Sequence, residues 1–137
     1  MFSQGHGGVN AYARVGVQTG VMGASPHRLI VMLYQGARQA VAQARMHVQQ
    51  NNIPARGEAI TKAIVIVEQG LQQALNKEGG GEIAGRLDAL YSYMARRLFE
   101  ANLEQNEQML VEVDGLLATL EGAWLGIGPE VAKMAAA

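Results

Sequence analysis

The sequence predicts an all-α protein, an antiparallel up-down four-helix bundle preceded by a short N-terminal lid segment. Three observations carry that expectation. Apolar residues recur at steps of three and four over four stretches of about twenty residues, the period of an amphipathic helix. The breaks between the stretches are short, and short connections force neighbouring helices to run antiparallel. The composition is 49% apolar but only 5% aromatic, and where the pattern is periodic it is dominated by alanine, leucine, glutamine, glutamate and methionine, the residues of helical bundles. At 137 residues the chain fits one domain with a contiguous core.

Met1 to Gly8 holds three glycines in MFSQGHGG, so residues 1–9 read as a flexible tail. Residues 10–24 read as the lid. Asn10 caps a short piece over Ala11 to Gln18, and Gly16, Gly20 and Gly23 weaken its helix propensity by about 1 kcal/mol each. Such a segment holds a shape only by docking on something larger.

The bundle is expected over residues 25–125. Ser25-Pro26 is a start signal, because the serine oxygen accepts from a first-turn N–H and proline at the first helical position loses a donor that had no partner. Helix one should run from about Pro26 to Gln50, with Leu29, Leu33, Gly36 or Ala37, Ala40, Ala44 and Val48 inward. Asn51-Asn52 ends it. Pro54 opens helix two, about Ala55 to Lys77, with Ile60, Ile64, Val67, Leu71 and Ala74 or Leu75 on its core face. Glu78 to Gly81 is the clearest break, since successive glycines supply the positive φ that reverses a chain. Helix three starts near Glu82 and runs to about Asn102, with Ile83, Leu87, Leu90, Met94, Leu98 and Ala101 in its stripe. Helix four covers about Glu107 to Trp124, with Met109, Val113, Leu116 or Leu117, Leu120 and Trp124 inward. Residues 126–137 read as a flexible C-terminal tail.

Charge and chemistry exclude most function classes. Eleven basic and twelve acidic residues are scattered along the chain, so no basic footprint predicts a nucleic-acid or anionic-membrane partner. No cysteine is present, which removes disulfides, thiolate metal sites and thiol nucleophiles. The longest apolar run, Leu29 to Tyr34, is far short of the roughly 20 residues that span a bilayer, and the start lacks a basic-then-apolar signal, so a cytoplasmic protein without membrane insertion is expected. No glutamate has a histidine three residues on, as di-iron bundles require, and no phosphate-binding or nucleophile-elbow motif appears. Neither an enzymatic activity nor a cofactor or metal site is expected. The rival reading is a histidine phosphotransfer bundle using His47, although RMHVQQN lacks the lysine and glycine expected after such a histidine.

What remains is surplus apolar and aromatic surface. Leu29 to Tyr34 and Ala63 to Val67 are apolar over nearly a full turn, wider than one bundle face needs. The lid, a twin subunit in a homodimer, or a partner's amphipathic segment would cover such flanks. On helix three, Tyr91 extends the core stripe, whereas Tyr93, Arg96, Arg97 and Glu100 fall outside it. That strip either packs and pairs on a solvated face or grips a peptide.

Two stretches, ASPHRLIVMLYQGA at 24–37 and GGEIAGRLDALYSYMARRLFEAN at 80–102, resemble the signature stretches of the flagellin-specific export chaperone family, FliS. Tyr12 followed by Val17-Gln18-Thr19, and Glu112-Val113 through Trp124, are similar to that family's N-terminal segment and last helix. Two features depart from the pattern: the usual continuous Thr-Ala-Ser-Pro is spread over Thr19 to Pro26, and Gln35 stands where an aspartate is common. The resemblance implies a helical bundle without enzymatic activity that holds the disordered C-terminal segment of flagellin, prevents its polymerisation in the cytosol and presents it to the flagellar type III export machinery. The residues expected to contact flagellin are Tyr12, Val17, Ile30, Tyr34, Val65, Tyr91, Tyr93, Met94 and Arg97.

Overall fold

A computed structural model describes residues 24–127; the tail, the lid with Tyr12 and Val17, and residues 128–137 lie outside the described residues. The first helix, α1 (Pro26–Gln49), starts as the sequence predicts. Ser25 is extended and its Oγ accepts from the Arg28 N–H at 3.0 Å, with Pro26 in the first turn. Asn51 then takes φ 56° and Asn52 caps the second helix by accepting from the Ala55 N–H. Asparagine tolerates the left-handed region and offers a short acceptor, so this pair both stops one helix and starts the next.

The second helix departs from the simple period. It is α-helical over Ile53–Val65 (α2) and continues as a π-helical stretch over Ile66–Gln72, ending five residues before the expected Lys77. Its i→i+5 bonding widens the turn. Ile66 and Val67, then Gly70 and Leu71, are all buried, two apolar pairs where the helical period predicted single residues. The third helix, α3 (Gly81–Glu104), opens on Gly81 at φ +60°, the positive angle that the glycine run supplies. It extends past Asn102 to a left-handed Gln105. Asn106 then accepts from the N–H groups of Gln108 and Met109 and begins α4 (Glu107–Gly126).

Each helix packs against its sequence neighbours, and α1 against α4 closes the ring. Cross-helix pairs show the directions. Arg38 bonds Asp114 and Glu121 while Arg45 bonds Glu107, so rising numbers in α1 meet falling numbers in α4. Arg56 meets Asn102, and Gln72 meets Asp88 and Ser92, which makes α2 and α3 antiparallel in the same way. The architecture is the expected up-down bundle.

Its core contains a polar thread. Trp124 Nε1 donates to the Tyr34 hydroxyl at 3.0 Å, and the Tyr34 and Tyr91 hydroxyls share a second hydrogen bond, linking α4, α1 and α3. His27 Nε2 donates to the Trp124 carbonyl at 2.6 Å, tying the start of α1 to the end of α4. Buried polar groups need such partners. Ile83, expected in the core stripe, is instead 61% exposed while its neighbour Ala84 is buried, so the inward face of this first turn of α3 falls at Ala84.

Candidate functional site

The nine expected contacts divide by depth. Ile30, Tyr34, Tyr91 and Met94 are buried, together with Val31, Met32 and Leu33, so the wide apolar flank of α1 is covered in the folded chain. A docked segment reaches those four only if something moves. Val65, Tyr93 and Arg97 are half-buried and lie nearer the surface.

Tyr93 and Arg97 are nevertheless engaged within the bundle. The Tyr93 hydroxyl donates to Glu112 Oε2, and Arg97 Nε donates to Glu112 Oε1 at 2.8 Å, with a longer contact of 3.5 Å to Glu100. These bonds favour the charged carboxylate, the Tyr93 hydroxyl most, and hold the Glu112 carboxyl below its ordinary range. Arg97 therefore clamps α3 to α4. Its neighbour Arg96 is exposed and has no ionic partner among the described residues; its guanidinium lies 5.7 Å from the Tyr93 ring centroid, in cation–π range.

The open apolar surface lies on the other side of α3. A hollow of 320 Å³ between α2 and α3 is lined by Ile64, Glu68, Ser92, Ala95, Arg96 and Phe99. Phe99 is 56% exposed, a large aromatic face left to solvent. Leu103 is 68% exposed one turn further on, and exposed Ile53 begins α2 at the same end of the bundle. Ser92, Arg96, Phe99 and Leu103 repeat at steps of four, three and four, so they share one face of α3.

Arg56 holds that end of the cleft together. Only 6% exposed, it donates from Nε to Asn102 Oδ1 at 2.9 Å and from Nη2 to the Asn102 carbonyl at 3.2 Å. No carboxylate pairs with it among the described residues. The last turn of α3 supplies the compensation, since helix C-terminal carbonyls carry partial negative charge and lack intrahelical donors.

Val65, Tyr93 and Arg97, expected as contacts, lie near the surface; Arg96, expected in the same strip outside the core stripe, is the arginine left free among the described residues, whereas Phe99 and Ile64 are not among the expected contacts. A signal for Phe99 was present. It follows Leu98, which occupies the core stripe, so an adjacent large aromatic turned about 100° away has no core position to fill. Which of the paired arginines meets an acid is set by where α4 packs, and no spacing within α3 encodes that.

Chemically the arrangement suits docking. Among the described residues no three histidine, aspartate or glutamate side chains gather as a metal site. His47 is half-buried near the end of α1, and its buried Nδ1 has no hydrogen-bond partner. A concave apolar patch with an aromatic floor and charged rims is the form that receives a partner's amphipathic helix.

Comparison with known proteins decides the family. The model of the flagellar protein FliS family matches residues 8–131. This chain belongs to the FliS family. Relatives include the flagellar secretion chaperone FliS of Salmonella typhimurium, 49% identical over 123 residues that make up 90% of this chain and 91% of the relative. The flagellar secretion chaperone FliSB of Pseudomonas aeruginosa is 46% identical, covering 85% of this chain and 91% of its own. The Escherichia coli FliS is 41% identical, covering 85% and 86%. The FliS match spans the whole described bundle, the α2/α3 cleft and the segment with Tyr12 and Val17. It lends no support to a phosphotransfer role for His47. Among the described residues no helix is long and apolar enough to cross a membrane.

Proposed function

We propose that this FliS-family chain is a cytoplasmic, non-enzymatic chaperone that binds the disordered C-terminal segment of flagellin, keeps it from polymerising and delivers it to the flagellar type III export apparatus. The observation that carries the reading is the exposed Phe99 in an open cleft between α2 and α3, in a chain whose relatives are named flagellar secretion chaperones. Before assembly an unfolded flagellin end exposes apolar side chains that would otherwise associate with one another. Docked as an amphipathic helix along α2 and α3, those side chains are buried on Phe99, Ile64 and Ala95 instead. Ordering the segment consumes several kcal/mol of the gross interaction energy, which leaves a complex tight enough to shield and loose enough to release.

Calorimetric titration of a flagellin C-terminal peptide into the chain tests this. Binding with a negative heat-capacity change marks apolar burial. Phe99→Ala is expected to weaken binding roughly tenfold or more, as for a central aromatic anchor, while the melting temperature stays within about 2 °C because an exposed ring adds little to the fold. Undiminished affinity in Phe99→Ala removes the cleft from the binding surface. Absence of binding by the unaltered chain removes the function.

A further inference from the structure

The two charged residues on the cleft rim stand on opposite sides. Glu68 belongs to the π-helical stretch following α2, Arg96 belongs to α3, and both line the same hollow. Both are exposed, and among the described residues neither has an ionic partner. Other charges near the helix seams are largely taken: Arg38, Arg45, Arg97, Asp114, Glu107, Glu112 and Glu121 all bond across α1/α4 or α3/α4. The α2/α3 cleft is the seam that keeps one wall negative and the other positive over an apolar floor of Ile64, Ala95 and Phe99.

We propose that these walls fix the direction in which a bound helix lies in the cleft. The inference rests on the cleft being the flagellin-binding surface. A helix resting on an apolar stripe presents one flank to each wall, and turning it end for end while the stripe stays down exchanges the flanks. A segment with basic residues on one flank and acidic residues on the other therefore satisfies Glu68 and Arg96 in one direction and opposes both in the other. The occupant is an amphipathic helix of the flagellin C-terminal segment with oppositely charged flanks, its acidic side against Arg96. Arg96 suits the role, because a planar guanidinium held near the Tyr93 ring is oriented before a carboxylate arrives. Like-charge juxtaposition in the wrong direction gives the discrimination.

The test uses the full chain and a flagellin C-terminal peptide carrying a nitroxide at its N-terminal end. In the isotope-labelled chain, paramagnetic broadening is expected at one end of the cleft only, either beside Leu103 or beside Gln72. Glu68→Lys and Arg96→Glu should each weaken binding about tenfold at low ionic strength, with the loss shrinking in about 0.5 M salt. The double exchange Glu68→Lys with Arg96→Glu should move the broadening to the opposite end. Broadening at both ends in the unaltered chain, or single exchanges that bind as the unaltered chain does, overturns the proposal. If Phe99→Ala still weakens binding in that case, the cleft reading stands and only its directionality fails; if Phe99→Ala is silent too, the cleft reading fails with it.

Discussion

Tyr34 illustrates how one buried hydroxyl can matter more than its neighbour. Indole N–H can only donate, and Trp124 gives its hydrogen to Tyr34, which also bonds Tyr91. Burial pushes the Tyr34 hydroxyl up to about 12, and burial followed by the nearness of Tyr34 raises Tyr91 as well, so both remain neutral donors and acceptors. Tyr34→Phe strands the Trp124 N–H and the Tyr91 hydroxyl together, whereas Tyr91→Phe leaves the Trp124 bond intact. Urea unfolding should show Tyr34→Phe losing about 2–3 kcal/mol and Tyr91→Phe about 1; equal losses would mean the thread is not continuous. Glu112 ties stability to pH. Its carboxyl is depressed in the folded chain, first by the Tyr93 hydroxyl and then by Arg97, so its contribution is fully present above the ordinary carboxylate pKa near 4.5 and is lost as pH falls through the depressed value. Glu112→Gln should therefore flatten the acid side of the stability profile and leave its slope at neutral pH unchanged. The burial of Tyr34 and Tyr91 was only partly legible in the sequence: the heptad-like spacing of Tyr91 indicated core, but their mutual bond joins residues 57 apart and depends on how three helices meet.

At the scale of the elements, stops and starts were readable because they are local chemistry. Ser25-Pro26, Asn51-Asn52, the glycine run and Asn106 each act through a cap or a positive φ that the residue itself provides. The π-helical stretch was not readable, since Ile64 to Val67 satisfy an α-helical stripe equally well and only the packing of Ile66 and Val67 together selects the wider turn. The helical glycines separate the two roles that residue can play. Gly81 sits at φ +60°, whereas Gly115 lies within α4 in open space with no neighbour that an added Cβ would meet within 4 Å. Gly81→Ala should lower stability by about 1 kcal/mol through strain in the left-handed region, and Gly115→Ala should raise it by about 0.5–1 kcal/mol through helix propensity. Thermal melts of the two variants should move in opposite directions. A Gly115→Ala variant that loses stability would indicate that its surface is needed bare.

For the whole molecule, the α1/α4 seam and the α2/α3 seam have different character. The first is closed by ion pairs from Arg38 and Arg45, each worth little alone at partly exposed sites but together fixing register. The second is tied at one end by Arg56 and Asn102 and at the other by Gln72, and between them it opens into the hollow lined by Phe99. The sequence predicts apolar surface in excess of what four helices need along Leu29 to Tyr34 and Ala63 to Val67. Most of both runs is absorbed inside, and the large apolar residues left outside near the cleft are Phe99 and Leu103, each a single off-stripe residue. The FliS signature stretches carried the family and thereby the class of partner. Backbone amide shifts recorded while a flagellin C-terminal peptide is titrated into the labelled chain decide whether an unfolded flagellin end docks between α2 and α3. The largest perturbations are predicted at Ile64, Ser92, Ala95 and Phe99; perturbations centred on the α1/α4 seam, with those four residues unmoved, would contradict it.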